Sequence, residues 1–256
     1  MPAKRHGLRP RRAQGSVLIG TSGWSYQHWT GRFYPEELAS SEWLAYYAQR
    51  FSTVEVNNTF YQLPKEHTVQ LWNEHTPAGF RFAVKGSRFI THVRKLREAE
   101  KSTERLITVV EALGEKLAVL LWQLPPTLER DPQLLDEFLG ALPRYLRHAV
   151  EFRHESWLVD ETYEVLRHHG VANVNASSDR MPTDLTVTGD FVYVRFHGLA
   201  GYHGAYVGRA LDVWVDFLRE QSLAGRDAYV YFNNDAEACA PADAERLRGM
   251  LEELAD

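Results

Sequence analysis

Along the chain, short runs in which bulky apolar residues alternate with small or polar ones precede longer runs with apolar residues at helical spacing. Strands are predicted at 17–21, 53–57, 80–85, 117–123, 149–153, 171–176, 191–196 and 228–232. Helices are predicted at 40–48, 64–75, 98–113, 132–142, 161–169, 210–223 and 243–254. Between the sixth strand and Asp190 no helical pattern is present. Strands that alternate with helices demand a mostly parallel sheet, because parallel neighbours need a crossover and helices supply it. An open, doubly wound sheet would carry a Gly-rich phosphate turn after strand one, and Gly20-Thr21-Ser22-Gly23-Trp24 does not match it. Eight strands in 256 residues fit a single-domain α/β fold, a TIM-type (β/α)8 parallel barrel over 16–256.

The alternation also separates two faces. Val150 and Phe152 point one way, and Ala149, Glu151 and Arg153 the other. The same split sets Thr53, Glu55 and Asn57 against Val54 and Val56, and Tyr193, Arg195 and His197 against Val192, Val194 and Phe196. One parity is apolar throughout, as a face under helices should be. The other turns polar toward the strand's C-terminal end, where barrel enzymes place their chemistry. Thr21, Lys85, Gln123, Asn233 and Asp235 join this inner set. Burying so many ionisable groups is costly unless they pair with one another or meet a ligand.

Composition narrows the class. With 44% hydrophobic and 25% charged residues the chain reads as a soluble globular domain. It has no apolar run of the ~18 residues a membrane span needs. A single cysteine, Cys239, and no apolar leader core fit a cytoplasmic protein. Residues 1–15 carry Lys4, Arg5, Arg9, Arg11 and Arg12 without an acid, and are expected to form a disordered basic tail. The remainder has 24 basic against 34 acidic residues, which weighs against broad coating of nucleic acid.

Several motifs, in order, resemble one known family. They are Gly20-Thr-Ser-Gly-Trp-Ser-Tyr26, Glu55-Val-Asn-Asn-Thr-Phe-Tyr61, Thr91-His92 after Lys85, and Gln123-Leu-Pro-Pro126. Glu151-Phe-Arg-His154 with Ser156-Trp157, Val192-Tyr-Val-Arg195 with His197-Gly198, and Tyr229-Val-Tyr-Phe-Asn-Asn234 complete the set. From Val17 to Leu254 the chain is similar to the YecE-like family, also called domain of unknown function 72. The resemblance implies a TIM-type barrel and brings no established reaction. The chain departs from the family at Asp235-Ala-Glu-Ala-Cys239, where a more Gly-rich loop is expected.

The residues lead to one preferred function and two rivals. The first is a hydrolase-like enzyme acting on a phosphorylated or nucleic-acid-like anionic substrate, with phosphate binding by Lys85, Arg153 and Arg195. Its catalytic set is Glu55, Lys85, Glu151, Arg153, Arg195 and His197, converging on one cleft with Glu55 or Glu151 as general base. Trp24, Tyr26, Trp29, Asn57, Tyr61, Gln123, Trp157, Asn233 and Asp235 would contact the substrate, the aromatics by stacking. Glu55, Glu151, His197 and Asp235 could hold a divalent metal, but no compact ligand spacing supports it and no cofactor is assigned. The rivals are a carbohydrate-active enzyme using Glu55 and Glu151, and a non-catalytic module that only binds an anion or nucleic acid. The alternative to all three is a self-satisfied ion-pair network, with the aromatic loop packed on itself.

Overall fold

The predicted alternation is realised as eight parallel strands. In the computed structural model, which describes residues 14–199 and 203–254, they are β1 (Val17–Thr21), β2 (Thr53–Val56), β3 (Arg81–Lys85), β4 (Leu117–Gln123), β5 (His148–Glu151), β6 (Ala172–Ser177), β7 (Phe191–Phe196) and β8 (Asp227–Phe232). Their order is β1-β8-β7-β6-β5-β4-β3-β2, with every ladder parallel. The two ends of this sheet nearly meet, so the fold is a TIM-type barrel.

The helices are α1 (Trp43–Tyr47), α2 (Asn58–Tyr61), α3 (Glu66–Glu74), α4 (Glu100–Val110), α5 (Pro132–Gly140), α6 (Asp160–His169), α7 (Asp212–Leu223) and α8 (Cys239–Glu253). Local chemistry sets several of their ends. Asp131 caps α5 by accepting from Leu134 N at 3.0 Å ahead of Pro132, and Gly170 ends α6 in the left-handed region at φ 67°. The short α2 falls on residues read from sequence only as the exit from strand two.

The β1–β2 seam is closed differently from the other seven. A single bridge pairs Ser22 with Glu55, and Gly23 N donates to Glu55 O at 2.8 Å. Below it, α1 inserts the Tyr47 hydroxyl, which accepts from Thr21 N at 2.9 Å and donates to Thr53 O at 3.0 Å. Gly20 permits this approach, because a Cβ there would lie 2.1 Å from Thr53 O.

No helix forms between β6 and β7, as the sequence indicated. The connecting segment instead returns along the outside of β6. Asn173 and Asn175, on the face that other strands fill with Val or Phe, bind it through Asp184: Asn173 Nδ2 donates to Asp184 Oδ2 at 2.8 Å, and Asn175 Nδ2 to Asp184 O at 2.9 Å. Amide side chains replace apolar ones there because the covering layer is backbone, whose polar groups need partners.

Parity sorts the two cores as expected. Val54, Val56, Leu120, Trp122, Val150, Phe152, Val194 and Phe232 pack outward under the helices. Ala83, Val119, Leu121, Ala149, Val174, Phe191, Tyr193 and Tyr231 fill the barrel. Tyr193 and Tyr231 send their hydroxyls toward polar partners, Glu55 and Thr53, so the apolar interior gives way to a polar layer.

Two boundaries are corrected. Gly15, assigned to the basic tail, is part of the folded body: its N donates to Ser222 O at 2.9 Å and its O accepts from Ser222 Oγ at 2.7 Å. Residues 1–13 of the proposed tail lie outside the described residues. Helix α8 begins a turn before the predicted 243, at Cys239.

Candidate functional site

Strand parity delivers the charged residues to one end of the barrel, but there they divide into two layers. The lower layer is a closed network around Arg195, which has 0% exposure. Its Nη2 donates to Glu55 Oε1 at 2.6 Å and its Nη1 to Glu151 Oε2 at 2.5 Å, so one guanidinium joins two carboxylates from opposite sides of the barrel. Glu55 is completed by the Ser22 hydroxyl on Oε1 and by Tyr193 OH on Oε2 at 2.6 Å. Glu151 Oε1 accepts from His197 Nε2 at 2.8 Å and lies 2.7 Å from Arg153 Nε, whose N–H is not directed at it. The exposures of Glu55 and Glu151 are 0% and 1%.

This network sets its own protonation. Burial alone would raise the Glu151 pKa, yet Arg153, Arg195 and His197 together hold it well below the usual carboxylate range. Burial lowers His197 to about 4; Glu151 opposes this and Arg195 and Arg153 reinforce it. His197 is therefore neutral near pH 7, which allows Nε2–H to donate to Glu151 while Nδ1 accepts from Asn233 Nδ2 at 3.2 Å. Two carboxylates and two guanidinium groups then cancel, and the layer carries no net charge.

Above it lies an open cleft of about 560 Å³, lined by Tyr26, Asn57, Phe60, Tyr61, Lys85, Arg88, His92, Gln123, Asn233 and Asp235. Lys85 leaves the C-terminal end of β3, and Gly86 follows where a Cβ would strike the Trp122 ring at 2.4 Å. The Lys85 ammonium sits 4.2 Å from the centroid of the Phe60 ring. Among the described residues it has no hydrogen-bond or ion-pair partner. Burial, followed by the field of Arg195, lowers its pKa from 10.5 to about 7, with Glu55 and Glu151 pulling the other way. His92, edge-on to Phe60 at 5.0 Å, is lowered to about 4 by burial and then by Lys85, Arg88 and Arg153. Asp235 is raised by burial; its carboxylate lies 3.7 Å from His28 Nε2.

Of the six residues expected to converge on one cleft, only Lys85 lines it, and the other five form the layer beneath. Arg195 binds both Glu55 and Glu151, while Arg153 lies against Glu151 and 2.9 Å from His197 Nε2, and neither arginine lines the cleft. Every oxygen of Glu55 and Glu151 has a partner within this layer, and neither residue lines the cleft. Among the described residues no group of three or more His, Cys, Asp or Glu side chains could hold an ion.

Of the residues expected to contact substrate, Tyr26, Asn57, Tyr61, Gln123, Asn233 and Asp235 line the cleft, and Tyr61 is 81% exposed. Three tryptophans do not. Trp157 is fully buried, stacked on Phe152 at 4.9 Å, and donates Nε1–H to Leu128 O at 2.8 Å. Trp29 is fully buried between Tyr26, Phe33 and Tyr34, and Trp24 packs edge-on to Trp72 at 5.6 Å. The aromatic loop is thus packed largely on itself, since a buried indole gains more from close packing than an exposed one. Arg88 and Phe60 were not selected from sequence. The signal for Arg88 was its place three residues beyond Lys85; Phe60 sits on a helical turn that strand parity cannot read.

The loop after β8 takes the shape expected of glycines without having them. Glu237 and Ala238 both adopt φ 59°. The loop is held by His28 Nε2 on Asp235 O at 2.8 Å and by Arg32 Nη1 donating to Glu237 O at 2.6 Å.

The eight parallel strands and the helices between them make this a single-domain TIM-barrel protein. Residues 18–256 match the family model described as "Protein of unknown function DUF72", and the chain belongs to that family. It is 32% identical to a DUF72 family protein from Thermotoga maritima MSB8 whose crystal structure superposes with a TM-score of 0.85, covering 93% of this chain and 99% of that one. A DUF72 family protein from Enterococcus faecalis V583, 20% identical, has the same fold at a TM-score of 0.78, over 92% and 95% of the two chains. The UPF0759 protein YunF of Bacillus subtilis (strain 168) is 24% identical over 92% of this chain and 95% of its own length. Substrate and catalytic activity are not established for the family. No helix among the described residues is long and apolar enough to cross a membrane.

Proposed function

We propose that this protein acts on a phosphorylated, anionic substrate held in the cleft above the C-terminal ends of the strands. The observation that carries the reading is the Lys85 ammonium, which faces the cleft without a carboxylate partner while the charges beneath it cancel. Arg88, exposed at the same rim, adds a second cation. The one acidic residue in the lining, Asp235, lies near His28. A ligand with negative charge would supply the missing counter-ion, and exposed Tyr61 offers a face for a flat substrate group. Cys239, half-buried and without a disulfide, fits our placement of the protein in the cytoplasm.

Calorimetric titration with inorganic phosphate and pyrophosphate tests this. An anion near Lys85 favours the ammonium, so binding near pH 8 should take up close to one proton, read as different heats in buffers of different ionisation enthalpy. Affinity should fall with added salt and drop at least tenfold in Lys85→Met and in Arg88→Met. Binding of neither anion, or binding that ignores both substitutions, would refute the reading.

A further inference from the structure

Lys85 differs from Lys65, Lys101 and Lys116 in what its amine meets. The chain has six lysines. Lys65 and Lys101 are exposed to solvent, and Lys116 Nζ is engaged by Asn73 O at 2.5 Å and Thr76 O at 2.7 Å. Lys85 instead presents its nitrogen to a cleft large enough for a small metabolite. Two neighbours in that cleft suit more than charge pairing. Asn57 Oδ1 is buried and has no hydrogen-bond partner, and the Phe60 ring lies under the amine.

We propose that Lys85 is a nucleophile that captures an anionic aldehyde or ketone as an imine, with Arg88 holding the substrate's anionic end. Burial supports this role, since an amine lowered to about 7 is roughly half neutral near pH 7, while an ordinary lysine is neutral to less than about one part in a thousand. The neutral nitrogen adds its lone pair to the carbonyl carbon. The carbonyl π pair moves to oxygen, which takes a proton as the nitrogen loses one, giving a carbinolamine. Asn57 Oδ1 is an acceptor for the new hydroxyl. That hydroxyl then leaves as water after a second protonation, the C=N bond forms, and the iminium gives up or keeps the nitrogen proton. The net change is amine plus carbonyl to imine plus water. The Phe60 face stabilises the iminium cation as it does the ammonium. The proposal rests on the anion-binding reading only for the contact with Arg88.

The test uses the full chain, glyoxylate and sodium borohydride, with intact-mass analysis and peptide mapping. Expected is one carboxymethyl group, located on Lys85, added at least tenfold faster than on Lys65 or Lys101. Its rate should rise with pH to a plateau with a midpoint near 7. Lys85→Met, with an unchanged circular dichroism spectrum, should not acquire it. Labelling spread evenly over the exposed lysines, or its absence from Lys85 in the unmodified sequence, would overturn the proposal. Acetaldehyde and inorganic phosphate separate it from the anion reading. Glyoxylate preferred over acetaldehyde, with protection by phosphate, supports both. Equal labelling by the two aldehydes without protection leaves the imine standing and removes the anion site. Phosphate binding without label at Lys85 removes the imine alone.

Discussion

Replacing Lys85 by Met should make the protein more stable, and the amount should depend on pH. The Lys85 pKa falls from 10.5 to about 7 on folding. At about 1.4 kcal/mol per pH unit that depression corresponds to at most ~4–5 kcal/mol held against the folded state. The residue is half-buried, so solvent relaxation should reduce this by about half. Losing the contact with Phe60 removes about 1 kcal/mol more of the gain. Met keeps the apolar stem, so a net gain of ~1–2 kcal/mol is expected near pH 6. The direction with pH follows from proton counting. Below pH 7 the folded protein carries the ammonium at full cost; between about 7 and 10.5 the unfolded chain holds a proton that the folded protein has shed. Stability of the unmodified protein therefore rises with pH through that window, and its gap to the variant closes. Urea unfolding followed by tryptophan fluorescence at roughly pH 6 and pH 10 measures both ends. Phosphate should stabilise the unmodified protein and leave the variant unmoved. A variant less stable near pH 6, or a gap that does not change with pH, would refute the picture of a desolvated cation awaiting its ligand.

Two further substitutions test the layers around it. Arg195→Met should cost ~3–5 kcal/mol with or without phosphate, because it leaves Glu55 and Glu151 buried without their shared cation. Near-normal stability of that variant in chemical unfolding would show the network to be dispensable. Glu237→Gly should raise the unfolding midpoint by the equivalent of about 0.5–1 kcal/mol, since an exposed residue at φ 59° pays for a left-handed backbone that glycine adopts freely. Its tether survives because Arg32 bonds the backbone carbonyl; a loss of stability would mean that the Glu237 side chain holds the loop.

The period-two signal made the barrel legible because both faces of every strand are buried, and each parity reports a different core. It located β4 and β7 at their observed bounds and placed Glu55, Lys85, Glu151, Arg195 and Gln123 on the inner face. The missing helix showed only as the absence of a helical pattern between β6 and Asp190. Parity cannot give depth along the barrel axis or what each charge meets there. Glu55, Glu151 and Arg195 share a side of the sheet with Lys85, yet they lie one level lower and pair with one another. The tryptophans failed for a related reason: an aromatic cluster in a loop has the same composition whether it forms a stacking platform or a packed plug, and only the contacts of Trp29 and Trp157 distinguish the two.

The two layers act as one device. A neutral, polar plug gains little stability over a well-packed apolar one, so its presence calls for a different explanation, and its hold on the two carboxylates beneath Lys85 supplies one. Burial is the main determinant of the lowered Lys85 pKa, and the plug acts in both directions, Arg195 and Arg153 depressing it while Glu55 and Glu151 raise it. Arg195 binds both carboxylates, and neither pairs with Lys85. The plug thereby keeps the amine both desolvated and unpartnered, two conditions that seldom persist together at a protein site. An amine so held can answer an incoming anion by taking a proton, or a carbonyl by giving its lone pair. Arg195 is on this account a positioning residue, acting on the cleft through its hold on Glu55 and Glu151.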